Sequence, residues 1–306
     1  MKFKEVCKRI KELKIQGAEN VAFAALGAFA SFSSKIDVSN KEVFIKQLGS
    51  AKSELFATRA TEPMMRNFIN FTLERVRESN LEKVQDLKRI VRETAKKIAD
   101  DNKVDSEKLE GFAIGLMRDN TNVFTHCHAS TVMNIFKKAY GVKKFGVYNT
   151  ETRPLFQGRR TAIELSKANI PVTYVVDSAA SVALSNCSAM FIGADAITAD
   201  GSVVNKIGSS MFARVAASRN VPVYVCAHSW KFDPDTVHKA EEIEQRSPDE
   251  VWKNAPAKVK VLNPAFDIVD KKHITAIVSE LGVLWPADFV RQVKKSFFLG
   301  DSGDKR

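Results

Sequence analysis

The sequence of 306 residues holds little cysteine and no long hydrophobic run. Its longest uncharged apolar stretch, Val21 to Ala30, falls far short of the roughly 20 residues that a membrane-spanning helix requires, so no span is expected. The four cysteines, at 7, 127, 187 and 226, stand at wide spacings without a CxxC pair, which argues against a disulfide framework and a zinc ribbon. The N-terminal segment MKFKEVCKRIKELKIQG lacks the apolar core of a secretory signal, and a cytoplasmic protein is expected. The GxGxxG dinucleotide fingerprint and the GxxxxGK[ST] phosphate loop are missing too, as are internal repeats and low-complexity tracts.

What is present is ordinary for a globular protein: 44% hydrophobic and 27% charged residues exclude a disordered chain. The net charge of +11 invites a nucleic-acid reading, but the excess is spread evenly along the chain. A nucleic-acid partner is therefore not expected, whereas anionic small molecules are attractive ones.

Two textures divide the chain. Over residues 1–118, segments such as KEVCKRIKELKI, PMMRNFINFTLERVRE and LEKVQDLKRIVRETAKKIADD repeat apolar residues at intervals of three and four, which predicts an all-helical domain. Asp37-Val38-Ser39-Asn40 and Ser106-Glu107-Lys108 offer N-cap signals, and Gly17 and Gly49 interrupt their neighbours. Over residues 119–306, short apolar runs (NVFTHC, FGVYNT, PVTYVVD, AMFIGAD, PVYVCA and, weakly, VKVLN) alternate with helical stretches. That alternation predicts a Rossmann-like α/β domain, an open and mostly parallel sheet with helices on both faces. Ligands of such sheets sit at the carboxyl ends of the strands.

The strand ends carry the chemistry. Thr125-His126-Cys127-His128 places a thiol before Ala129-Ser130-Thr131, which can cap a helix, a setting that lowers a thiol's pKa. His126 and His128 share one face of an extended chain and Cys127 the other, so no metal site is expected. The second run leads to Arg153-Pro154 and then to Gln157-Gly158, which is either a clamp for phosphate oxygens or a surface arginine paired with Glu151. Asp177 ends the third run as an N-cap. Asp195 ends the fourth, where partial desolvation suits a carboxyl group to acid–base work, and a loop returns Asn205 and Lys206 opposite it.

THCH, TETRP with LFQG, IPVTYVVDSAA, GADAIT with DG, NKIGS, SWKF and NPAFD occur in this order. Together they resemble the family that unites the regulatory subunits of translation initiation factor 2B, methylthioribose-1-phosphate isomerase and the archaeal ribose-1,5-bisphosphate isomerase. Its isomerases pair a cysteine in the THC segment with an aspartate in the GAD segment, which match Cys127 and Asp195; the translation-factor alpha subunits carry THA and GAE there. The resemblance is greatest to the ribose-1,5-bisphosphate isomerases and implies an aldose–ketose isomerase without metal or other cofactor. It also implies substrate contacts from Gln16, Gly17, Ala18, Arg59, Arg153, Gln157, Asn205, Lys206 and Lys231. A homo-oligomer, dimer or hexamer, and activation by AMP are implied as well. One departure stands out: Gln16-Gly17-Ala18-Glu19 replaces an RGA segment, so a phosphate-binding cation is missing. The alternatives are a non-catalytic translation regulatory subunit that binds a nucleotide or sugar phosphate and contacts translation initiation factor 2, and methylthioribose-1-phosphate isomerase.

Overall fold

A computed structural model describes residues 2–59, 62–237 and 243–298. The C-terminal FFLGDSGDKR, whose polar end predicts a loosely ordered tail, falls largely outside them. Contacts divide the chain into two compact units, residues 1–104 and 105–306.

The first unit is helical: α1 (Phe3–Lys11), α2 (Ala18–Lys35), α3 (Lys41–Phe56), α4 (Pro63–Arg77) and the first part of α5 (Val84–Leu116). Asn40 caps α3 by accepting from the Val43 amide, as its sequence signal predicts. Phe29, Phe44, Phe68, Leu48 and Leu55 are fully buried within it. Two glycines behave differently from one another. Gly17, at φ +87°, starts α2, whereas Gly49 lies within α3 and interrupts nothing, because its neighbours supply the apolar face. Nor does Ser106 cap a helix: it sits inside α5, with its hydroxyl 3.1 Å from His228 Nε2.

The second unit begins inside α5, where Leu109, Ala113 and Met117 join the sheet's core, so the compact division falls earlier than the change of sequence texture at 118. It runs β1 (Thr121–Thr125), α6 (Ser130–Tyr140), β2 (Phe145–Thr150), α7 (Gln157–Lys167), β3 (Val172–Val175), α8 (Ala180–Leu184), β4 (Ala189–Ile192), β5 (Ala196–Thr198), β6 (Val203–Lys206), α9 (Ser209–Ser218), β7 (Val223–Cys226), β8 (Phe232–Asp233), β9 (Phe266–Val269), β10 (Ala276–Ser279), β11 (Gly282–Leu284) and α10 (Pro286–Phe298). The main sheet has the order β11-β10-β7-β4-β1-β2-β3, parallel except for β11. Residues of α6 and α7 cover one face and residues of α8, α9 and α10 the other, which explains why the central strands are apolar on both sides.

A second sheet, β8-β5-β6-β9, was not legible beforehand, because its strands are short and mutually supported. The weak VKVLN run, Val259 to Asn263, by contrast, forms no strand: residues 259–262 are largely exposed, and only Asn263 is buried, its carbonyl accepting the Arg246 amide at 2.9 Å.

Candidate active site

The winding of the main sheet reverses between β1 and β4, and the crevice at such a reversal is where open α/β sheets take ligands. Cys127 lies just beyond β1 and Asp195 just beyond β4. Their loops approach so closely that a Cβ on Gly193 would stand 2.8 Å from Ala129 Cβ. Glycine at 193 is thus what lets the two strand ends converge, and the Asp195 charge acts on the Cys127 thiol.

Cys127 has φ +66°, a left-handed conformation that costs a non-glycine residue about 1–2 kcal/mol. Its neighbours hold it there. The Cys127 amide donates to Thr152 Oγ1 at 3.0 Å, and Thr161 Oγ1 donates to the Cys127 carbonyl at 2.7 Å. Because that hydroxyl hydrogen is spent, His128 Nδ1, 3.0 Å from Thr161 Oγ1, is the donor in its own bond. His126, fully enclosed, has Nε2 2.9 Å from the Ile207 carbonyl and Nδ1 2.6 Å from Thr150 Oγ1. A carbonyl only accepts, so Nε2 carries the hydrogen and Nδ1 receives the Thr150 hydroxyl. Burial pushes His126 down to about 4, and the ring is a neutral strut between β1 and the turn after β6.

The Cys127 thiol departs from its sequence-based expectation. Burial pushes it up to about 11; the nearby Lys206 and the His128 amide pull it down without compensating, and Asp195 and Asp177 add to the rise. The expected helix cap is absent as well: α6 starts after Ala129, and no side chain caps it. Cys127 is therefore a protonated thiol at neutral pH rather than a thiolate.

Asp177 also differs from its expected role. Instead of capping its own helical turn, its carboxylate accepts the Thr152 amide at 2.9 Å and the Arg153 amide at 2.8 Å. It thereby pins the turn that supplies Thr152 to Cys127. Arg153 itself is exposed, stacked 5.0 Å over the Phe156 ring, with its guanidinium donating to the Val251 carbonyl at 3.1 Å rather than pairing with Glu151. Gly158 permits the turn: a Cβ there would stand 1.7 Å from the Thr150 carbonyl oxygen.

Beside these residues lies an open cleft lined in part by Leu155, Gln157, Lys206, Arg246, Glu250 and Asn263. The Gln157 amide oxygen is buried without a hydrogen-bond partner, a deficit that a ligand hydroxyl would satisfy. Lys206 extends 5.2 Å over the Phe266 ring. Asn205 turns inward instead, donating to Ser209 Oγ at 3.0 Å, and Lys231 is buried with its ammonium 2.6 Å from the Ala194 carbonyl. Both are occupied in shaping loops, a role that their residue types alone do not disclose.

The family model described as the initiation factor 2 subunit family matches residues 14–286. The protein belongs to the initiation factor 2 subunit family. Ribose 1,5-bisphosphate isomerase of Methanocaldococcus jannaschii is 34% identical to it over 298 residues, covering 96% of this chain and 95% of that protein. The crystal structure of 5-methylthioribose 1-phosphate isomerase from Pyrococcus horikoshii superposes with a TM-score of 0.78 at 28% identity, covering 96% of this chain and 88% of that one. Translation initiation factor eIF-2B of the same organism gives a TM-score of 0.81 at 24% identity over 94% of this chain and 98% of that one, a likeness of fold.

In this family member the remaining predicted site residues lie in the helical unit. Gln16 is exposed and donates its amide to the Leu13 carbonyl at 2.7 Å; Gly17 and Ala18 form the start of α2. Arg59 Nη1 lies 3.1 Å from Glu62 Oε1, so a carboxylate already faces the cation expected to meet phosphate. Sequence reasoning missed Thr152, Thr161, Arg246 and Glu250, since isolated threonines and a salt-bridged surface pair carry no pattern. Among the described residues no cluster of His, Cys, Asp and Glu is arranged for a metal ion, and no helix is long and apolar enough to cross a membrane.

Proposed function

We propose that the protein is an aldose–ketose isomerase that converts ribose-1,5-bisphosphate to ribulose-1,5-bisphosphate. The observation that carries this reading is the approach of Cys127 and Asp195 at the reversal of the sheet, with the Lys206 charge acting on the thiol. A phosphate on the anomeric carbon blocks spontaneous opening of the sugar ring, so the protein must open it. The bond from C1 to the ring oxygen breaks as that oxygen takes a proton, O2 loses its hydrogen, and the hydrogen on C2 ends on C1. The atoms balance within one molecule, so no redox cofactor is required.

In this scheme Asp195 exchanges a proton at the ring oxygen or at O2, and Cys127 acts on the C1/C2 side. The raised thiol suits a group that enters the reaction with its proton in place. Gln157 offers its unsatisfied oxygen to a sugar hydroxyl, and Lys206 and Arg153 offer charge to phosphate. Gln16, Gly17, Ala18 and Arg59 enter by family correspondence alone. Asn205 and Lys231 contribute by holding the Lys206 turn and the Asp195 loop.

The test is a ketose-formation assay with ribose-1,5-bisphosphate on the wild type, Cys127→Ser and Asp195→Asn. Turnover by the wild type and a fall of at least about 100-fold in each variant, the usual worth of a proton-transfer group, is expected. An inert wild type would refute the reading. The same assay with methylthioribose 1-phosphate separates the two isomerases. AMP as an activator and a homo-oligomer belong to the same reading; kinetics with AMP and sedimentation equilibrium address them.

A second reading, a regulatory protein that binds a nucleotide or sugar phosphate and contacts translation initiation factor 2, draws on Glu19 after Gln16-Gly17-Ala18 and on the Arg59–Glu62 pair. It expects ligand binding without turnover.

A further inference from the structure

The NPAFD segment, Asn263 to Asp267, has no role in the chemistry above, yet its Ala265, Phe266 and Asp267 meet the Asn205–Ser210 turn. β9 pairs antiparallel with β6, setting Asp267 opposite Asn205 and Phe266 opposite Lys206. The Ala265 carbonyl accepts the Ile207 amide at 3.1 Å, and the Phe266 ring lies under the Lys206 ammonium. The Asp267 carboxylate then accepts the Gly208 amide at 2.9 Å and the Ser210 amide through both oxygens, at 3.1 and 3.2 Å. These are amides of the first turn of α9, which nothing within the helix can satisfy. From the other side His126 donates to the Ile207 carbonyl. Lys206 thus protrudes from a turn gripped by β9 and by the residue next to Cys127.

We infer that Asp267 is a positioning residue of the active site: its carboxylate fixes the 206–210 turn that holds the Lys206 ammonium over the Phe266 ring and at the cleft. This deepens the isomerase reading and rests on it for its catalytic consequence, while the placement of Lys206 is testable without turnover.

The energetics point the same way. Burial pushes Asp267 up to about 6 despite the two backbone donors and the Arg214 guanidinium of α9. An ionised carboxylate at neutral pH is therefore kept at the expense of stability, as happens where geometry serves function. The other charged or titratable groups around it are Lys206 on the paired strand and neutral His126, whose ring carbon and nitrogen come within 3.6 Å of a Cβ placed on Gly208. On the 271–273 turn, which α9 also meets, Lys271 pairs with Asp200 and Lys272 with Asp270.

The experiment uses the full chain and Asp267→Asn, which keeps the shape but can satisfy only one amide oxygen's worth of donors. Cys127 alkylation by iodoacetamide, located by mass spectrometry, is followed from pH 8 to 11. Loss of a negative charge by itself would make the thiol more acidic and alkylation faster; retreat of Lys206 makes it slower. We expect Asp267→Asn to melt at an equal or higher temperature above pH 6 and to be alkylated about threefold more slowly, the equivalent of roughly half a pKa unit. Unchanged or faster alkylation in a folded variant overturns the inference. If Asp267→Asn does not fold, Phe266→Leu, which removes the ring under Lys206, decides instead by the same slowing or its absence. Where the wild type turns over the bisphosphate, the acid limb of kcat near pH 6 should vanish in Asp267→Asn. An inert wild type would sink the isomerase reading and leave the alkylation result standing on its own.

Discussion

The Lys231 ammonium lies 2.6 Å from the carbonyl oxygen of Ala194, the residue before Asp195, and is itself almost wholly buried. A buried cation on a backbone carbonyl is a strong tether, worth about 1.5–3 kcal/mol. It restrains the loop in which the Asp195 carboxylate sits. Lys231→Met should lower stability by about 1–3 kcal/mol by freeing a buried acceptor. It should also reduce kcat more than it raises KM, which denaturation curves and steady-state kinetics together would check.

Gly158 and Gly208 are needed for different reasons, and the costs of replacing them should differ. At Gly158 a Cβ would overlap the Thr150 carbonyl oxygen, so Gly158→Ala must displace α7 from β2, with a loss above about 4 kcal/mol. Gly208, at φ +103°, would bring a Cβ to 3.1 Å from the Phe212 ring edge and into ordinary contact with the His126 ring, no backbone among them, and Gly208→Ala should cost about 1–2 kcal/mol. Thermal melts of the two variants give the ranking; equal losses would contradict it.

His126 sets an acid limit. Burial holds its folded value at about 4, whereas the unfolded ring titrates near the ordinary histidine value of about 6.5. The unfolded chain therefore binds the extra proton first, and stability falls as pH drops from about 6.5 to about 4. His126→Asn should be less stable at pH 8, where the strut is intact, yet lose less on acidification. Urea titrations at several pH values would show whether the gap narrows.

The thiols set an alkaline limit of opposite sense. Burial pushes Cys7 and Cys127 up to about 11 and Cys187 to about 12, and Cys226 rises as well. Each folded thiol keeps its proton after the unfolded one has lost it. Stability is full below about pH 8.5, the ordinary thiol value, and declines as pH rises toward 11. Cys226→Ala and Cys187→Ala should flatten that decline in melts between pH 8 and 11.

The Arg59–Glu62 pair offers a stability test within the helical unit. Both side chains are largely enclosed, at 10% and 1% exposure. Removing the cation leaves a buried carboxylate without one of its partners, so Arg59→Ala should cost on the order of 3 kcal/mol. Adding Glu62→Gln to Arg59→Ala removes the stranded charge, so the double variant should lose less than Arg59→Ala alone. A double-mutant cycle by chemical denaturation measures the difference.

Much of the architecture was already written in local pattern. Apolar spacing marked the helices, β-branched runs marked the strands of the parallel sheet, and the positions where β1 and β4 stop identified Cys127 and Asp195, because period and composition depend on neighbours in the chain. The second sheet escaped notice, since β5, β6, β8 and β9 are stable only through one another.

The sequence by itself determined the alternation of elements, the family membership and the residue types at the strand ends. Only the tertiary structure decided their chemical state and duties. Burial, which no local pattern contains, raised the Cys127 thiol that its strand-end setting was expected to lower. Likewise, partners distant in sequence made Asp177 a clamp on Thr152 and Arg153 and gave Lys231 to the Ala194 carbonyl. A side chain's protonation and hydrogen-bond partners depend on what the fold brings within a few ångströms, and that is settled only when separate segments pack together.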